Sequence, residues 1–366
     1  MEDLPSLFSC LTIIFQLLFW IILIIKQFNY LKVLADIDFL WHPIHKVTDN
    51  ITSFYHPLEE FIQNAEINPK TGNKLIILVI VSDGYVNIAQ NYYCSLNFVG
   101  EMSKYALFIT GNAETRDKLR TLGAKTCFIP TLISKYKRKM WHLMGHLRLI
   151  FLEYLLKRGI EVILCDSDMV FFRNPFEILD YSQDFVISAE MSISNWNGYY
   201  LPWKINMGFI YFHNIKKCYQ FIKDYNMILF NVAKKWDQRT LHNYLMSGNL
   251  TKLDNWKVLD IIRGERYNYQ VISPIQIIHL LTYLKRNEVI SDITSQNLTI
   301  PYALHLAWFD SYRKEFVEPD VQNKFALMSK YMNFLSPDFK KCVSHDEFSW
   351  SQLTSFLNQK HAAHTQ

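Results

Sequence analysis

An α/β domain on a mostly parallel sheet is the fold this sequence predicts, and three observations predict it. Continuous apolar runs rich in branched residues stand at 74–81 and 161–165. Such runs mark strands buried on both faces. Between residues 74 and 165 these runs alternate with helical stretches, the order expected of right-handed crossovers. The chain has 366 residues, half of them apolar, enough for a sizeable core.

The first strand, 74–81, follows the turn Pro69-Lys70-Thr71-Gly72-Asn73. A helix is expected over about 86–99 and a second strand over 105–110. An amphipathic helix over 114–122 ends at Gly123, a suitable C-cap. A short strand at Phe128-Ile129 precedes Pro130, and a long helix of about 138–157 is stopped by Arg158-Gly159. The apolar strand 161–165 then runs straight into Asp166. Beyond Pro175 the pattern loosens. Strands are expected at 184–189, 205–212, 257–260 and 302–305, and helices at 215–230, 236–246 and 321–334. In sheets of this kind ligands sit beyond the carboxyl ends of the strands, which is where Asp166 and Asp168 fall.

High aromatic content, with 26 Phe and 21 Tyr, argues against disorder. A net charge of +4 without a long basic run gives no support to nucleic-acid binding, although it suits a nucleotide diphosphate. The six cysteines show no zinc spacing. Apart from Cys10, they are read either as buried thiols or, in a secretory setting, as up to two disulfides that sequence cannot pair.

Residues 7–25 carry no charge. As a helix they would span about 28 Å, enough for a bilayer core. Glu2 and Asp3 precede them and no small-residue cleavage site follows, so an uncleaved anchor is expected rather than a signal peptide. The expected organisation is a short tail at 1–6, an anchor at 7–25, a stem at 26–73, the domain at 74–336 and a tail at 337–366. Lys26 and Lys32 would place the domain in the cytosol by the positive-inside rule, while Asn50, Asn249 and Asn297 in N-x-S/T settings point to a lumen. The two signals diverge.

Asp166-Ser167-Asp168 is the sharpest feature. Two carboxylates where a strand ends and the chain turns can converge on one hard divalent ion, Mn²⁺ or Mg²⁺, that keeps positions open for phosphate. Such an ion neutralises a departing diphosphate. The letters alone are weak, since Asp36-Ile37-Asp38 repeats them in the stem. The copy at 166 has a buried strand before it and Met169-Val170-Phe171-Phe172-Arg173-Asn174-Pro175-Phe176 after it.

Residues 162–176 in that form resemble the core motif of the nucleotide-diphospho-sugar transferase family. Asn91-Tyr92-Tyr93-Cys94-Ser95-Leu96, Asn206-Met207-Gly208-Phe209, Asp237-Gln238 and His305 with Trp308 are similar to four further family motifs. The resemblance spans about 76–330. It implies a GT-A-type fold and transfer of a hexosyl or pentosyl group from a nucleotide-diphosphate sugar to a glycan or glycoprotein, with retention of configuration. It also implies a single-pass type II protein of the Golgi or endoplasmic reticulum membrane with its domain in the lumen. By the same resemblance, Asp168 binds the metal, Asp166 the ribose or a metal-held water, and His305 supplies a late ligand. Asp237 and Gln238 contact sugar or acceptor, and Asn206 and Gly208 line the donor side. Arg148 stands where the family usually has Lys, which keeps the charge but changes the geometry. The family's Gly after its His-x-x-Trp is absent, since Phe309-Asp310-Ser311 follows.

Each residue has a plainer reading. Asp166 and Asp168 would serve a turn, and His305 the core. Asp237-Gln238 would open a helix, Arg148 would be a solvated charge, and Asn206 and Gly208 would serve packing. Trp196, Tyr199, Tyr200 and Trp203 make an aromatic-rich loop suited to sugar stacking or to burial. Two other functions compete. A haloacid-dehalogenase-type phosphatase also uses Asp-x-Asp after a strand, but needs a late acidic pair for magnesium, and neither Asp-Asp nor Gly-Asp-x-x-x-Asp stands downstream. A degenerate transferase would bind nucleotide sugar or glycan as an anchored lectin.

Overall fold

Strand β1 (Leu75–Val81) lies between β2 (Ala106–Thr110) and β4 (Glu161–Cys165), parallel to both, as its unbroken apolar sequence requires. In the computed structural model, residues 52–82, 84–129, 140–191, 203–231, 237–246, 256–259, 266–272, 277–279, 302–306 and 334–343 are described, with Gln16, Leu18 and 20–25 near the N-terminus. The aromatic residues 196–200, Trp308 to Ser311, the three N-x-S/T asparagines and most of the expected helix 321–334 fall outside the described residues, as does Asp36-Ile37-Asp38.

Helix α1 (Thr52–Gln63) precedes β1 and buries Leu58 and Ile62, in a stretch that the sequence reading leaves in the stem. Helix α2 (Val86–Phe98) leads to β2, and α3 (Ala113–Thr121) leads to β3 (Lys125–Phe128). Helix α4 (Met140–Lys157) leads to β4. The Asn112 side chain caps α3 by accepting from the Glu114 and Thr115 amides. Both α3 and α4 end on a left-handed glycine, Gly123 at φ 91° and Gly159 at φ 79°. Ala124 N bonds Leu119 O at 3.2 Å, and Ile160 N bonds Leu155 O at 3.1 Å. These Schellman closures turn the chain directly into β3 and β4.

Strand β5 (Met169–Phe171) follows β4, and β6 (Phe185–Met191) and β7 (Trp203–Phe212) come next. Helices α5 (Ile215–Asn231) and α6 (Asp237–Met246) precede β8 (Trp256–Leu259), β9 (Arg266–Ile272), β10 (Ile277–His279) and β11 (Ala303–His305). The central sheet has the order β3-β2-β1-β4-β7-β6-β9-β8. Its first four strands are parallel, β6 and β9 are parallel, and β4-β7, β6-β7 and β8-β9 are antiparallel. The sheet is therefore α/β and mostly parallel. The antiparallel pairings begin beyond residue 175, where the regular alternation of the sequence stops. A second sheet, β10-β11-β5, stands beside the first.

A disulfide joins Cys94 in α2 to Cys342. Around it Phe334 N donates to Asn91 Oδ1 at 2.7 Å, and the Phe98 and Phe334 rings stack. Cys127, Cys165 and Cys218 are free and buried. Burial pushes the Cys127 thiol up to about 12 and raises the Cys165 and Cys218 thiols as well, so none is a reactive thiolate near neutral pH.

Gln16, Leu18 and residues 20–25 are helical, and Leu18 and residues 20–25 expose 39–61% of their surface. Among the described residues no helix is long and apolar enough to cross a membrane. Most of 7–19 lies outside them.

The disulfide closes a span of 248 residues. Cys342→Ala should lower unfolding free energy by about 2–5 kcal/mol, the usual cost of losing a native bridge. Denaturant melts with and without reductant check this, because reductant should lower the wild type to the level of the variant.

Candidate active site

Strand order 3-2-1-4 places the switch point of the parallel half between the carboxyl ends of β1 and β4. This is where ligands bind in open α/β sheets. Asp166-Ser167-Asp168 leaves β4 at that point and crosses to β5 in the second sheet. A D-x-D continued along one strand would send its carboxylates to opposite faces. Here the change of sheet lets both converge.

His305 arrives from β11, which pairs antiparallel to β5 with His305 opposite Met169. Leu306 N donates to Asp168 O at 3.0 Å and extends that pairing. The His305 Nε2 atom lies 3.1 Å from Asp168 Oδ1 and 3.5 Å from Asp166 Oδ2. Side-chain exposure grades the three, at 3% for His305, 10% for Asp168 and 35% for Asp166. One ligand atom from each of the three lies within 4.8 Å of the others. Two carboxylates and an imidazole at that spacing fit one divalent ion of the Mn²⁺ or Mg²⁺ kind, with open positions on the exposed Asp166 side.

Burial alone would lower the His305 pKa. Asp168 and Asp166 outweigh it and raise the pKa from 6.5 to about 9. Without metal, the imidazole is a cation held between two carboxylates.

Gly208 explains how a large ring fits here. A Cβ at this position would lie 2.3 Å from His305 Cε1, 2.5 Å from His305 Nδ1 and 2.7 Å from Asn206 Oδ1. The β6-β7 register breaks between Ile187 and Ser188, which pair with Ile210 and Asn206, so residues 207–209 bulge out of that pairing. Bulges of this kind re-aim backbone beside active sites. The Asn206 side chain accepts from Gly208 N at 2.7 Å, and Gly208 O accepts from Asp166 N at 3.0 Å. Asn206 and Gly208 thus pack directly against His305 and the Asp166 backbone.

Arg148, in α4, gives its Nη1 to Asp166 Oδ1 at 2.8 Å, and its Nη2 lies 3.5 Å from Met207 Sδ. It is a site residue at 14% side-chain exposure, not a solvated helix charge. Asp237 opens α6, and Gln238 Oε1 accepts from Met207 N at 3.4 Å. His242, one turn on, accepts from Ile205 N at 3.4 Å through Nδ1. Sequence reasoning missed His242, the Met207 contact and the buried Ser167. The four-residue spacing of Gln238 and His242 was the available signal, since it puts both on one helix face.

Two predictions follow from this packing. Gly208→Ala should weaken Mn²⁺ binding about 10–100-fold, the usual effect of disturbing a ligand's support, with the fold retained by circular dichroism. The raised His305 pKa adds stability to the metal-free protein that is complete below pH 6.5 and lost as pH rises through about 9. Thermal melts in EDTA should show His305→Gln with a flatter profile than the wild type across that window.

No curated protein matches the sequence. The chain is similar to the galactosyltransferase LgtC solved with donor and acceptor sugar analogues, at 13% identity and TM-score 0.40, covering 68% of this chain and 95% of that one. It is also similar to mouse xyloside xylosyltransferase 1, at 12% identity and TM-score 0.37, covering 64% and 98%. A glycosyltransferase involved in the glycosylation of the major capsid of PBCV-1 stands at 12% identity and TM-score 0.39, covering 70% and 98%. Likenesses this distant say nothing of substrate. The sequence pattern of the nucleotide-diphospho-sugar transferases, however, matches residues 104–315, more than half of the chain and inclusive of Arg148, Asp166, Asp168 and His305. The chain therefore belongs to the nucleotide-diphospho-sugar transferase family.

Proposed function

We propose that the protein is a metal-dependent glycosyltransferase that moves a hexosyl or pentosyl group from a nucleotide-diphosphate sugar to a glycan or glycoprotein acceptor. The observation that carries this reading is the convergence of Asp166, Asp168 and His305 at one sheet edge, with Arg148 on the outer acid.

Asp168 and His305, both buried, would hold the ion from below, and Asp166 from its exposed side. A bound divalent ion neutralises the diphosphate as its bond to the sugar breaks. The chain's own groups prepare that event. Arg148 fixes the Asp166 carboxylate and adds positive charge where phosphate arrives. The Asn206–Gly208 bulge keeps His305 upright. Asp237 and Gln238 start the helix that lies along β7 at Met207, so the sugar or the acceptor hydroxyl would meet them there. The sugar carbon passes through an oxocarbenium-like state, and retention is the stereochemistry that the family resemblance supports.

In this reading residues 7–25 anchor the protein, residues 26–73 form the stem, and the domain lies in the lumen of the Golgi or endoplasmic reticulum as in a type II protein. The Cys94–Cys342 bridge supports the lumen, because disulfides persist in oxidising compartments. It outweighs Lys26 and Lys32, since the charge rule weakens when a long folded domain follows the helix.

Asp168→Ala should cut Mn²⁺-stimulated hydrolysis of UDP- or GDP-sugars about 100-fold or more, as removal of Lewis-acid assistance requires. Unchanged turnover would overturn the metal role. Arg148→Lys should lose about tenfold in kcat/KM, because an ammonium cannot reproduce the guanidinium fork.

A further inference from the structure

The opposite edge of the central sheet carries a second set of polar groups that the reaction does not use. Glu161 opens β4 with no exposed surface and four partners. Asn68 Nδ2 donates to its Oε2 at 2.9 Å and the Tyr211 hydroxyl to the same atom at 2.7 Å. Asn73 Nδ2 donates to Oε1 at 2.8 Å, and His213 Nδ1 lies 3.1 Å from that oxygen. Burial pushes the Glu161 pKa up, but His213, Asn73, Tyr211 and Asn68 together bring it below the usual range. The carboxylate is ionised and meets the His213 ring at Nδ1. The other ring nitrogen, Nε2, takes no part in these bonds.

That ring forms part of the wall of a cavity of about 380 Å³, shared with Asn73, Tyr181, Gln183, Asp184 and Asn214 among others. The amides of this wall follow one rule. Asn73 gives its nitrogen to Glu161, Gln183 to Asp180 at 2.9 Å, and Asn214 to Asp184 at 2.9 Å. Asn73 and Gln183 keep their carbonyl oxygens for another partner, while the Asn214 oxygen accepts from Lys217 N at 3.4 Å. Lys217, the nearby cation, is engaged with Asp184 at 3.1 Å. The wall is built of amide and imidazole groups that both donate and accept, and its nearby lysine is already paired. It suits a neutral ligand whose hydroxyls also do both, and it offers little to phosphate.

We propose that this cavity is a non-catalytic sugar site that holds a neutral saccharide unit of the acceptor glycan. The proposal rests on the glycosyltransferase reading. The length of β4 separates the cavity from Asp166 by on the order of 15 Å, a few strand residues. An extended acceptor would be held at one edge of the sheet and modified at the other.

Ligand-observed NMR on the full chain in detergent, with EDTA, tests this using lactose, maltose and chitobiose as probes. At least one should give saturation transfer that survives Asp168→Ala. The signal should fall about tenfold in His213→Ala and in Gln183→Ala, the loss of one or two hydrogen bonds. Gln183→Ala lies at the cavity rim and should leave the fold and donor hydrolysis unchanged. The proposal is overturned if no probe binds, if both variants bind like wild type, if Asp168→Ala abolishes the signal, or if spermidine binds there in place of the sugars. Donor hydrolysis by wild type is a separate readout. Its absence sinks the transferase reading, whereas its presence with unaltered variants sinks only the sugar site.

Discussion

Three residues of antiparallel pairing, Met169–Phe171 against Ala303–His305, hold the site together. The pairing draws the chain out of the central sheet as soon as β4 ends. It stretches Asp166-Ser167-Asp168 across the gap between two sheets and brings a histidine from 137 residues away onto Asp168. The remaining features accommodate that crossing. Gly208 makes room for the ring, and the bulge at residues 207–209 supplies the carbonyl that receives the Asp166 amide. The Ser95 hydroxyl of α2 accepts from Phe171 N at 3.2 Å, tying the crossing to the first helix of the domain.

The parallel half of the fold was legible because its physics is local. Unbroken apolar runs give two-sided strands, and glycines past helix ends give Schellman turns. Predicted and observed bounds for β1, β2, α2 and α3 differ by one residue or so at each end. In the antiparallel half β6, β7 and β8 were legible as separate strands, but β9 was not, nor were the pairings, because nothing in 203–212 states that its neighbours will be β4 and β6. In the site, Asp166, Asp168 and His305 were nominated by motif, and the structure brings them together with Arg148. The close packing of His305 on Gly208 was not legible. A missing Cβ acquires meaning only when the ring that fills its place is known.

Two buried acids show how burial and function separate. Glu161 and Asp168 bracket the same short stretch of chain, and each faces a histidine at 3.1 Å. Glu161 has two amide donors and a phenol in addition, so its charge is satisfied by the fold. The Asp168 carboxylate instead shares its surroundings with a second acid, an arrangement that invites an added cation. The D-x-D letters mark the second case but carry no information on the first, which is assembled from residues 68, 73, 161, 211 and 213.

The Cys94–Cys342 bridge has a consequence for biosynthesis. The first cysteine leaves the ribosome with α2, and its partner follows 248 residues later. The two thiols can meet only after every strand of both sheets has been made. A polypeptide cut short by premature termination, even one that retains the whole acidic motif and His305, would keep Cys94 as a bare thiol. The cross-link therefore acts as a completeness mark, since it closes only in a chain that carries both cysteines.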